Sequence, residues 1–111
     1  MRLFRHMALV AVVVASTHGA HAQTYFGPGN VLCEKFTALA SDNNPTATSI
    51  DYWLRGYLSG LNAAWKGVKG TDRLINVDSK QVSLYALRYC DANPRKNVLN
   101  AVNDYFWSLP Q

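Results

Sequence analysis

Apolar and polar positions alternate along most of this chain with the period of a helix. The clearest run spans about Ser49 to Trp65, where Ile50, Trp53, Leu54, Tyr57, Leu58, Leu61 and Trp65 recur at spacings of three and four. At 100° per residue these side chains fill one broad stripe, while Asp51, Arg55, Ser59 and Asn62 fall on the other side. Asp51 and Arg55 form an i,i+4 pair in the favourable order, carboxylate first. A shorter helix is predicted over Val31 to Ala40, with the polar turn SDNNPTAT, Ser41 to Thr48, between the two. After Trp65 the stretch KGVKGTDR, Lys66 to Arg73, reads as an exposed loop.

A third helix is predicted from Asp78 or Ser79 to about Asp91. Gln81 completes a capping box if Asp78 holds the N-cap. Its Val82, Tyr85, Ala86, Tyr89 and Cys90 share a face, and Leu84 and Leu87 point elsewhere, which predicts contact on more than one side. In YCDANPRKN, Tyr89 to Asn97, Asn93 reads as the cap of a fourth helix with Pro94 at its first position. That helix runs to about Leu109, with Val98, Ala101, Val102, Tyr105, Phe106 and Leu109 inward and Trp107 on the opposite side. The predicted fold is therefore all-α, a single-domain bundle of about four helices.

The first residues change what the rest must be. Arg2 and Arg5 precede the apolar run Met7 to Ala15, and Ala20-His21-Ala22 has small residues at both flanks. This is the pattern of a secretory signal peptide over residues 1–22, with cleavage after Ala22 and export to the periplasm or the medium. The apolar run is shorter than the roughly 20 residues that span a bilayer. Residues 23–111, 89 of the 111, form the expected domain. All three histidines, both methionines and two arginines belong to the signal, so the remaining chain has 9 basic and 7 acidic side chains, a net charge of +2. That balance gives little support to a nucleic-acid partner.

Without histidine the exported chain lacks the commonest general base and metal ligand near neutral pH. It has no CxxC or HExxH spacing, so no metal or cofactor is expected. Its tyrosines, serines and aspartates show no spacing that suggests a nucleophile with its base, so no catalytic residue is assigned and an enzyme is not expected. Two cysteines remain, Cys33 and Cys90, in a chain bound for an oxidising compartment, and they are expected to form one structural disulfide.

The candidate surfaces lie on the second and fourth helices. Gly56 and Gly60 sit one turn apart in GYLSG, where each costs up to about 1 kcal/mol relative to alanine. They read either as spacers against another helix of the same chain, the preferred reading, or as a seam for a second subunit. Charges nearby exclude a membrane-inserted glycine motif. Trp107 either packs on a frayed helix end or belongs to a client or dimer surface, to which Trp53 and Tyr57 are also assigned.

LCEKF (Leu32 to Phe36), WKGVKGTD (Trp65 to Asp72) and YCDANPRKN resemble stretches of the HdeA/HdeB periplasmic acid-stress chaperones, in the same order and at compatible spacing. The resemblance implies a small exported helical protein with one disulfide. It also implies a homodimer that loosens at low pH and exposes apolar surface to hold unfolding client proteins. WLRGYLSGLNAAW is also similar to the GY-x-x-G segment of Rap1a/Tai-type immunity proteins, which are helical, disulfide-bonded and block one cognate toxin enzyme. For an acid switch without histidine, carboxylates must carry the signal. Asp51 beside Arg55 and Asp78 at a helix start are the expected pH sensors, acting below about pH 4.

Overall fold

The computed structural model describes residues 25–110, so the signal peptide expected over residues 1–22 lies outside the described residues. A 3-10 turn, η1 (Pro28–Asn30), precedes four helices: α1 (Cys33–Ser41), α2 (Pro45–Lys69), α3 (Ser79–Ala92) and α4 (Val98–Ser108). No strand is present among the described residues, so the expected all-α bundle is observed. The helices pack as a closed ring, α1 on α3, α3 on α4, α4 on α2 and α2 on α1. Phe36, Ile50, Leu54, Leu58, Val98, Val102 and Phe106 fill its centre.

Helix α2 is longer than the hydrophobic pattern predicts at both ends. The Asn44 side chain accepts from the Thr46 N–H at 2.9 Å and Pro45 takes the first position, so the helix starts four residues before Ser49 and buries Ala47. At the other end Lys66–Lys69 stays helical, and only Gly70, at φ 74°, ends it by donating to the Lys66 carbonyl. The expected loop over Lys66 to Arg73 is therefore half helix.

Helix α3 begins as predicted. Asp78 accepts from the Lys80 N–H at 2.8 Å and Gln81 returns a bond to the Asp78 N–H at 3.2 Å. Leu84 on this helix is exposed, so the expected second contact face is absent there; Leu87 is half-buried. Helix α4 starts later than expected. Asn97 is its cap, in a reciprocal pair with Asn100, whereas Asn93-Pro94 forms a turn closed by the Lys96 N–H on the Asn93 carbonyl. The five residues of its inward stripe from Val98 to Phe106 are buried, and Leu109 is half-buried.

That turn has a structural task. Helix α1 has Leu32 at its N-cap and no side-chain cap, so its first amides need partners. The Cys33 N–H donates to the Lys96 carbonyl at 2.8 Å and the Glu34 N–H to the Pro94 carbonyl at 3.0 Å. The Cys33–Cys90 disulfide joins the first residue of α1 to the last turn of α3, both cysteines fully buried.

Closing a separation of 57 residues stabilises the fold by roughly 4 kcal/mol in the chain-entropy model. Cys33→Ala with Cys90→Ala is expected to lower the melting temperature by on the order of 20 °C. Thermal denaturation followed by circular dichroism measures this, and titration of the denatured wild-type protein should find no free thiol.

Candidate functional site

The residues singled out in the sequence do not form one site. Trp53 and Tyr57 stack at 5.3 Å between ring centroids, and the N-terminal strap, residues 25–30, lies against Trp53. The Trp53 indole N–H donates to the Phe26 carbonyl at 2.7 Å, and Tyr25 leans on the same ring. The strap fits because it carries glycine where the indole is closest. A Cβ at Gly27 would stand 2.2 Å from Trp53 Nε1, and Gly27 also has φ 105°. Trp53 is half-buried beneath this cover, and Tyr57 is half-buried beside it.

Gly56 and Gly60 behave in the opposite way. Both are exposed, and a Cβ at either would meet nothing within 4 Å. The preferred expectation, spacers against another helix of the same chain, is corrected: the bundle does not need them.

Asp51 and Asp78 take the positions expected of them without belonging to a common cluster. The Asp51 carboxylate lies 2.6 Å from Arg55 Nη2, which also donates to Ser83 Oγ at 2.8 Å. Asp78 caps α3. The carboxyl that sequence reasoning missed is Asp72, whose pKa is held below the usual 3.8 by the Asn62 side-chain amide, the Leu74 N–H and the Lys66 ammonium. Asn62 in turn accepts from the Arg73 N–H at 2.9 Å, so this pair fastens the turn after α2 back onto the helix.

Trp107 is where the sequence put it, on the outer side of α4 and 61% exposed. It is not alone. Its ring meets Trp65 at 5.7 Å and Phe106 at 5.1 Å, both edge to face. With Leu61, Ala64 and Val68 these rings line an open, apolar groove of about 330 Å³ between the C-terminal halves of α2 and α4, bordered by Lys69. Val68 is 81% exposed there, which marks a surface that the described residues leave without cover. Trp65, at twelve residues from Trp53, lies about 18 Å farther along α2, so the groove is separate from the strapped pair.

Arg73 completes the rear of this cluster. It was expected in an exposed loop, yet it is 6% exposed, its guanidinium 4.7 Å from the Trp65 ring and 4.8 Å from the Phe106 ring. Only the tertiary fold brings residues 65, 73, 106 and 107 together, and no local pattern around Arg73 announces it.

No group of histidine, cysteine, aspartate or glutamate suited to a metal ion occurs among the described residues, and no helix there is long and apolar enough to cross a membrane. No family model, characterised protein or solved structure matches the chain.

Two outcomes follow from this geometry. Gly56→Ala with Gly60→Ala is expected to raise the melting temperature of the isolated protein, each contributing up to about 1 kcal/mol, because both sites are open helix surface. A lower melting temperature would show that something packs on them. Asp72→Asn keeps an acceptor oxygen and removes the charge. Since the folded-state pKa is lowered, the wild-type advantage is complete above the unfolded value of about 3.8 and is lost as pH falls through the folded one. Melting curves of the two proteins should therefore differ at pH 7 and converge below about pH 3.

Proposed function

We propose that this protein is an exported, non-catalytic holdase of the acid-stress type, which binds unfolding client polypeptides through apolar surface at low pH. The observation that carries the reading is the groove of Trp65, Trp107, Leu61 and Val68, open on the side of a bundle locked by a buried disulfide. The resemblance of LCEKF, WKGVKGTD and YCDANPRKN to HdeA/HdeB supports it, as does the signal-peptide pattern at the start of the chain. The disulfide keeps an acid-loosened chain compact and able to close again.

In this reading acid acts through carboxylates. Protonation cancels the charge that holds Asp72 to the Asn62 amide and the Leu74 N–H. The basic side chains are then unopposed, and their repulsion helps to loosen the bundle or separate a homodimer.

A second reading, a stoichiometric inhibitor or immunity partner of one cognate protein, is favoured by one feature. The groove is already open in the closed fold, so binding there requires no acid-driven opening.

Suppression of aggregation of an unrelated protein, followed by light scattering at pH 2–3 and at pH 7, tests the holdase. Activity is expected only in acid and is expected to fall severalfold in Trp107→Ala with unchanged helical content. No suppression at either pH would favour the inhibitor reading, and an apolar-dye titration with an opening midpoint near pH 6 would exclude carboxylates as the trigger.

A further inference from the structure

The end of α2 sets a cation at the edge of the groove. Lys69 borders it, its ammonium 5.9 Å from the Trp65 ring centroid, and Lys66 stands in the same last turn. Behind the rings lies Arg73, whose Nη2 donates to the Leu109 carbonyl at 2.5 Å. Its Nε and Nη1 are buried with no hydrogen-bond partner among the described residues. No carboxylate of the described residues pairs with that guanidinium, and the apolar surroundings screen its field weakly.

The nearby acids are engaged elsewhere. Asp72 accepts from the Asn62 amide and the Leu74 N–H, with Lys66 beside it. Asp104, on α4, accepts from the Tyr85 hydroxyl on the α3 side, and that bond raises the Tyr85 pKa. The groove thus has Lys69 at its edge and the Arg73 guanidinium behind its rings, and no carboxylate lines it.

We propose that this groove docks an apolar segment of a partner polypeptide that carries carboxylates beside its apolar anchors. The anchors enter between Trp65, Val68 and Trp107, and a carboxylate meets Lys69 at the edge. The inference concerns the closed fold at neutral pH, where partner carboxylates are ionised, and rests on the groove being the binding surface proposed above. A basic segment would meet like charge at the rim. A second copy seated groove to groove would bring the same lysines against each other, because a two-fold contact is isologous.

Three synthetic helical peptides test this, each with leucine and phenylalanine at i, i+3, i+4 and i+7 and flanked by glutamate, glutamine or lysine. They are titrated into the exported form at pH 7 and low salt, read by the protein's tryptophan fluorescence. The glutamate peptide is expected to bind about fivefold more tightly than the glutamine peptide, and the lysine peptide more weakly than either. Salt should erase the difference. Lys69→Glu should reverse the order, Lys69→Gln should flatten it, and Trp107→Ala should weaken all three peptides.

Equal binding of the three peptides, or a preference that survives Lys69→Glu in a protein of unchanged circular dichroism, overturns the proposal. Tighter binding of monomeric decanoate than of any peptide would make the occupant a fatty acid. Self-association abolished by Trp107→Ala would make it a second copy, and either result overturns the proposal. If no peptide binds while aggregation suppression still depends on Trp107, the charge preference is wrong and the groove remains the binding surface. If suppression is also indifferent to Trp107→Ala, the surface itself is wrong.

Discussion

Helix α1 has nine residues and buries little beyond Cys33 and Phe36, too little to persist as an independent helix. Its place in the ring depends on being fastened at Cys33. The disulfide holds that residue to Cys90, and the carbonyls of Pro94 and Lys96 hold the first amides. Covalent and hydrogen-bonded fastening act on the same end of the same helix. If that end were released, α1 would no longer cover α2 and α3, and the α1–α3 side of the ring would open. A domain this small has no second core to compensate.

With that end fixed, the long helix α2 is left to present surface. Its N-terminal part is covered by the strap, whose two glycines let the backbone lie against Trp53. Its C-terminal part carries the groove. Between them Gly56, Ser59, Gly60 and Ala63 are exposed without a charged side chain among them. The same helix is thus apolar toward the core and partly apolar toward solvent, which is why its hydrophobic pattern alone could not separate core from candidate surface.

The contrast between two Asn-Pro pairs shows what local sequence decides. Asn44-Pro45 starts a helix, because Ala47, Ile50 and Leu54 follow it in helical register with the core. Asn93-Pro94 precedes Arg95, Lys96 and Asn97, which have no apolar side chain to bury, so the helix waits for Val98. Sequence alone reverses the two, with Asn44-Pro45 in a turn and a cap at Asn93, because it is the register of buried positions that chooses between them. The capping box at Asp78, the inward stripe of α4 and the cysteine pair were legible because each rests on short spacings or on elimination among few residues. Arg73 was not. A cation sheltered by Trp65, Phe106 and Trp107 is a property of three segments meeting, and the glycines around it argued for exposure.

The same meeting point ties the pH chemistry to the candidate surface. Asp72 holds the Asn62 amide through Oδ1, Asn62 holds the Arg73 N–H through its own Oδ1, and Arg73 supports the rings that line the groove. A proton on Asp72 weakens the first of these bonds and removes a negative charge beside Lys66. It does so one residue away from the cation on which Trp65 and Phe106 rest. In the proposed holdase the groove therefore needs no global unfolding to respond to acid, since the turn that positions its rear wall is held by a carboxylate whose charged form is the stable one. The disulfide lies at the other end of the ring's connections, on α1 and α3, and does not depend on that turn. Acid can thus soften the surface while leaving the fastening that lets the bundle close again.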